Sequence, residues 1–117
     1  MKMPRPTDDD MAALRRAVED LPGASVKPMF GNLGAFVNGN MFVGLFGSAV
    51  GVRLVDEASR AELSAVDGSG PFGPSDRPMK SYLTLPADWS SDTDAARAWI
   101  SRAFIEVSAL PPKLHKR

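Results

Sequence analysis

The chain contains no cysteine. That absence removes disulfides, thiolate nucleophiles, cysteine-ligated zinc and iron–sulfur clusters together, and it fits a reducing compartment. Histidine is almost as scarce: the one imidazole, His115, lies two residues from the C-terminus. A Ser-His-Asp triad or a histidine acid–base pair needs a positioned ring, and a frayed end does not hold one. No stretch approaches the roughly 20 apolar residues of a membrane span. No apolar run follows Lys2 and Arg5, as it would in a secretory signal. A cytoplasmic location and no membrane partner are therefore expected. Charge of one sign is missing too, because 14 Lys and Arg balance 14 Asp and Glu. Dedicated nucleic-acid binders draw most of their non-specific affinity from a basic excess. The one local exception is the tail with Lys113, His115, Lys116 and Arg117, read first as a solvated end.

What is present is the composition of a globular domain, 44% hydrophobic and 24% charged in 117 residues. Residues 1–117 are read as one domain, with residues 1–6 a loose proline-bearing arm and residues 111–117 a basic tail. Thr7 followed by Asp8, Asp9 and Asp10 marks a helix start: a hydroxyl caps free N–H groups, and carboxylates suit the positive end of the dipole. Met11, Leu14, Val18 and Leu21 then recur at helical spacing until Pro22-Gly23. Consecutive carboxylates on a helix diverge, so the three aspartates are read as a cap and not as a metal site.

From Val26 the period changes. Short strands are expected over Lys27–Phe30, Leu33–Val37, Met41–Phe46 and Ala49–Val55. Asn38-Gly39 suits a type I′ turn and Gly47-Ser48 a type II′ turn, which makes the region an antiparallel meander. Asp56 is the expected cap of a second helix over Ala58–Val66, closed by Asp67-Gly68. Gly68 to Pro78, dense in glycine and proline, reads as a loop, either functional or a passive crossover. Met79–Leu85 alternates like a half-buried strand. Ser91 and Asp94 are spaced as a capping box. The last helix, Asp92–Leu110, would be about 28 Å long. Its apolar stripe is Ala96, Trp99, Ile100, Ala103, Phe104, Val107 and Leu110, with Arg97, Arg102 and Glu106 on the exposed side. The expected fold is a two-layer α+β domain, α-β-β-β-β-α-β-α, with an antiparallel sheet of about five strands and three helices.

No catalytic, cofactor-binding or metal-binding residue is assigned. Gly31-Asn32-Leu33-Gly34 lacks phosphate-loop spacing and precedes a strand, so its glycines are read as turn and close-approach positions. The acidic residues are read as caps and surface groups. The phenylalanines are assigned to core or dimer packing ahead of base stacking. Lys27, Arg53, Lys80 and Tyr82 alternate onto the non-core face of their strands and form the candidate interaction surface.

Several blocks, taken in order, resemble a known family. They are Lys27-Pro-Met-Phe-Gly-Asn-Leu-Gly-Ala-Phe36, Asn38-Gly-Asn-Met-Phe42, Arg53-Leu-Val-Asp-Glu57, Pro71-Phe72, Arg77-Pro-Met-Lys-Ser-Tyr82 and Leu85-Pro86. Together they resemble the N-terminal domain of the TfoX/Sxy family over about residues 10 to 110. Departures fall at Asn32, where the family more often has glycine, and at Lys80, extra relative to the usual Met-Ser-Tyr. The resemblance implies a fold similar to the secretion-chaperone-like group. It also implies kinship with transcriptional co-regulators of natural competence, whose full-length members add a C-terminal helical domain; this chain is expected to be the N-terminal domain alone. The expected function is a non-catalytic regulatory protein-interaction module, self-associating as a homodimer through an exposed sheet face or edge. The alternative is a nucleic-acid binder using the sheet face and basic tail.

Overall fold

The computed structural model describes residues 6–29, 32–72, 81–86, 89 and 93–111. Thr7 caps the first helix, α1 (Asp8–Val18), through a reciprocal box. Its hydroxyl accepts from the Asp10 N–H while its own N–H donates to the Asp10 carboxylate. Asp10 also accepts from the Ser48 hydroxyl at 2.9 Å, so the helix start is tied to a hairpin turn. The meander follows as β1 (Ser25–Met29), β2 (Asn32–Val37), β3 (Asn40–Phe46) and β4 (Ala49–Arg53). Asn38 and Gly39 both take positive φ, 52° and 80°, as a type I′ turn requires. At the next turn Gly47 has φ 63° and Ser48 is not among the positive-φ residues, in keeping with type II′.

The second helix, α2 (Glu57–Ser64), departs from expectation at its start. Asp56 stands at the N-cap position but makes no side-chain cap. The free N–H groups of Val55 and Asp56 instead donate to one oxygen of Glu106, at 2.7 and 2.9 Å, and the Ser59 hydroxyl donates to the other at 2.6 Å. Glu106 belongs to α3 (Thr93–Ser108), so a residue read as a surface charge is a cap supplied from another helix.

The stretch read as an uninterrupted loop also differs. It contains a two-residue strand, β5 (Gly70–Pro71), and Phe72, which is buried. The strand expected over Met79–Leu85 is paired only at β6 (Tyr82–Thr84); Met79 lies outside the described residues, as does Ser91 of the expected capping box. The sheet therefore has six antiparallel strands rather than about five, in the order β1-β2-β3-β4-β6-β5. Three helices and this open sheet make a mixed α+β fold.

One face of the sheet is covered by helices. Leu33, Ala35, Val43, Leu45, Val50 and Val52 point there and pack with Leu14, Ile100, Ala103 and Val107. Phe42 joins them, its ring edge-on to Phe104 at 5.2 Å. It gets there through a β-bulge. Phe36 pairs with Met41 but Ala35 pairs with Val43, so Phe42 is the extra residue and both it and Val43 are buried. Trp89 closes one end, its indole N–H donating to the Ser48 carbonyl at 2.9 Å. No helix among the described residues is long and apolar enough to cross a membrane.

Candidate functional site on the outer sheet face

Strand alternation sends every second side chain away from the helices. The register lines up Lys27, Gly34, Gly44, Gly51 and Thr84 as one row across five strands on that outer face. Flanking the row are Phe36, Met41, Phe46, Arg53 and Tyr82, all half-buried. Lys27, which is exposed, holds its ammonium 5.6 Å from the centre of the Phe36 ring, within reach of a cation–π attraction.

The glycines matter at two positions. A Cβ on Gly51 would stand 2.2 Å from the Phe72 ring, so glycine is what lets that ring lie against the strand. Phe72 meets Phe46 edge-on at 6.3 Å and lies tilted against Tyr82 at 6.0 Å, both within the range of attractive ring pairs. At Gly44 a Cβ would come within 3.2 Å of the end of the Met41 side chain, which folds back over its own strand. The face thus has an aromatic ring seated at one glycine and a flexible thioether over the next.

Tyr82 and Arg53 are directly paired neighbours on β6 and β4. The Tyr82 hydroxyl donates to the Met41 carbonyl at 2.9 Å, reaching across β4 to β3. Burial pushes the phenol above its ordinary value, and the Arg53 cation with its hydrogen bond offsets this only in part. Tyr82 is therefore a neutral hydrogen-bond donor at physiological pH.

Of the four residues expected on this surface, the structure brings Arg53 and Tyr82 into contact and places Lys27 three strands away on the same face. Lys80 lies outside the described residues, as do tail residues Lys113, His115, Lys116 and Arg117. Sequence reasoning missed Phe72, Met41 and Phe46 as neighbours of this surface. Phe46 and Gly51 were legible: a two-residue turn at Gly47-Ser48 sets Phe46 opposite Ala49 and Gly44 opposite Gly51. Phe72 carried no such signal, because nothing local says where a residue after a glycine-rich turn will dock.

The helical side offers less. A cleft of about 200 Å³ between α1 and α3 is lined by Ala13, Arg16, Glu19, Trp89 and Arg97. An apolar one of about 170 Å³ lies between Val66, Leu85, Trp89 and Trp99. Neither gathers a nucleophile with a base. Among the described residues no group of three or more His, Cys, Asp or Glu could hold a metal ion.

The TfoX N-terminal domain model matches residues 16–106 of the chain. The chain belongs to the TfoX N-terminal domain family. That places it in a competence-related regulatory family rather than an enzyme family. The match runs from within α1 to within α3, so the whole TfoX outer face falls inside it. Neither the search of curated proteins nor that of solved structures found a match.

Proposed function

We propose that this TfoX N-terminal domain is a non-catalytic regulatory module that acts by binding another polypeptide on the outer face of its sheet. The observation that carries the reading is the group Phe36, Met41, Phe46 and Tyr82, half-exposed on the face opposite the helices and bracketed by Lys27 and Arg53. Aromatic residues, methionine and arginine are the side chains enriched in protein interfaces. The face is a better docking surface than the edges. The β5 edge is two residues long and includes Pro71, and the β1 edge carries Lys27 and Pro28. Lysine and proline at an edge discourage strand addition, the route by which open edges self-associate. The reading needs no bound cofactor.

The test is site-specific crosslinking in the producing cell. A photoreactive phenylalanine replaces Phe46 in one strain and Glu19, on the helical side, in another. A discrete polypeptide adduct at Phe46 and none at Glu19 is the expected outcome. Adducts at Glu19 alone, or a nucleic-acid adduct at Phe46 that nuclease removes, would overturn the proposal.

A further inference from the structure

Among the described residues, charge on the outer face has one sign. Lys27 and Arg53 are the charged residues described there. The described acids sit on α1, α2 and α3 or in their flanking turns. A partner surface that meets this face gains from negative charge and meets no described carboxylate in return.

The two cations also have a spacing. Lys27 and Gly51 stand in one row on β1 and β4, three inter-strand steps apart. At the usual distance between neighbouring strands those steps make roughly 14 Å. Arg53 is two residues further along β4. An extended chain advances about 3.3 Å per residue, so carboxylates four or five residues apart span the gap. Between the cations lies Gly44, roofed by the end of the Met41 side chain and flanked by Phe36 and Phe46. A thioether with three rotatable bonds yields readily to another apolar group. The neighbouring position shows what fits: Phe72, delivered by the short strand β5, already presses its ring against Gly51.

From these observations we infer that the outer face takes an extended acidic segment of a partner protein, with one aromatic side chain between two carboxylates. The carboxylates pair with Lys27 and Arg53, and the ring displaces Met41 to rest over Gly44. The guanidinium has donors to spare for a carboxylate beside its bond to Tyr82. This inference rests on the proposed reading of the outer face as a protein-binding surface. A nucleic-acid strand fits the same face less well. The two described cations neutralise few phosphates. The Phe72 and Tyr82 rings pack on each other instead of standing free for bases.

The experiment is an amide-resolved NMR titration of the whole chain with four probes. They are the blocked peptide Glu-Ser-Phe-Ser-Glu, its charge-reversed form Lys-Ser-Phe-Ser-Lys, its anchor-free form Glu-Ser-Ala-Ser-Glu, and an oligothymidylate. The first peptide should shift the amides of Gly34, Gly44, Gly51 and Arg53, and do so more weakly as salt rises. The anchor-free form should bind more weakly than the first. Lys27→Glu should weaken the first peptide on the order of tenfold, and Lys27→Arg should restore it. The inference is overturned if the acidic peptide moves only α1 and α3, or moves nothing at millimolar concentration. Equal binding of the charge-reversed or the anchor-free peptide, or tighter binding of the oligothymidylate to the same face, overturns it too. A Phe46 crosslink that persists while the acidic peptide fails removes the acidic-segment inference alone. Loss of both removes the binding reading as well.

Discussion

Gly51→Ala is the substitution whose effect follows most directly from the packing. The new methyl carbon would stand 2.2 Å from one ring atom of Phe72 and 2.3 and 2.5 Å from two others, all inside contact distance. The backbone of a central strand does not retreat, so the ring must leave. Phe72 is 3% exposed, and burying a phenylalanine contributes about 1.5–3 kcal/mol. Its edge-on partner Phe46 adds about 0.5–1.5 kcal/mol. Alanine recovers about 0.5–1 kcal/mol over glycine within a strand. The net cost is about 1–4 kcal/mol. With a urea slope of about 1.5 kcal/mol/M, the midpoint falls by about 0.7–2.7 M. Trp89 and Trp99 report the transition by fluorescence from the helical side, away from the substitution. Phe72→Ala alone should cost a similar amount, and the double variant should be no worse than Phe72→Ala by itself. Additive costs, or a neutral Gly51→Ala, would refute the idea that this glycine exists to seat the ring.

Three further outcomes are expected. Glu106→Ala removes an acceptor from two N–H groups and a hydroxyl and should cost about 2–3 kcal/mol in urea unfolding, with Glu106→Gln costing less. Burial raises the Glu106 carboxyl, but the N–H groups of Asp56 and Val55, the Ser59 hydroxyl and nearby Arg102 outweigh it and hold the group below the ordinary glutamate range. A depressed carboxylate stabilises the fold above its unfolded value, so this contribution fades as pH falls below about 4.3, and the Glu106→Gln variant should show a flatter acid limb. Asn32→Ala leaves the Gly47 N–H without its side-chain acceptor at 2.9 Å. That should cost about 1–3 kcal/mol, read as a lower melting temperature. Tyr82→Phe loses the bond to Met41 and should cost about 1 kcal/mol. In the native chain the single tyrosine should ionise above its ordinary value by ultraviolet titration; the raised value means that stability falls as pH climbs through the alkaline range.

Part of this architecture is written in local pattern. Ala96, Ile100, Ala103 and Val107 recur with the period of a helix, and all four are buried. Asn38-Gly39 and Gly47-Ser48 name their turns; the second sets the whole β3–β4 pairing, the first the pairs Val37 with Asn40 and Phe36 with Met41. Thr7 and Asp10 cap α1 across three residues. The order of the blocks carries the family. These features are short-range, so the residues that determine them are adjacent in the chain and can be read there.

The outer face depended on contacts that adjacency does not carry. Counting two by two from Asn38-Gly39 pairs Gly34 with Val43, and that count would turn Val43 and Leu45 outward. The bulge at Phe42 adds one residue, pairs Gly34 with Gly44 and sends Val43 and Leu45 inward. What selects it is Phe42 against Phe104, a contact between a strand and a helix far along the chain. The Glu106 cap on α2, the docking of β6 beside β4, and the seat of Phe72 on Gly51 are equally long-range. Strand period and turn chemistry specify which residues alternate; only the packed core decides which of the two alternating sets is left facing out.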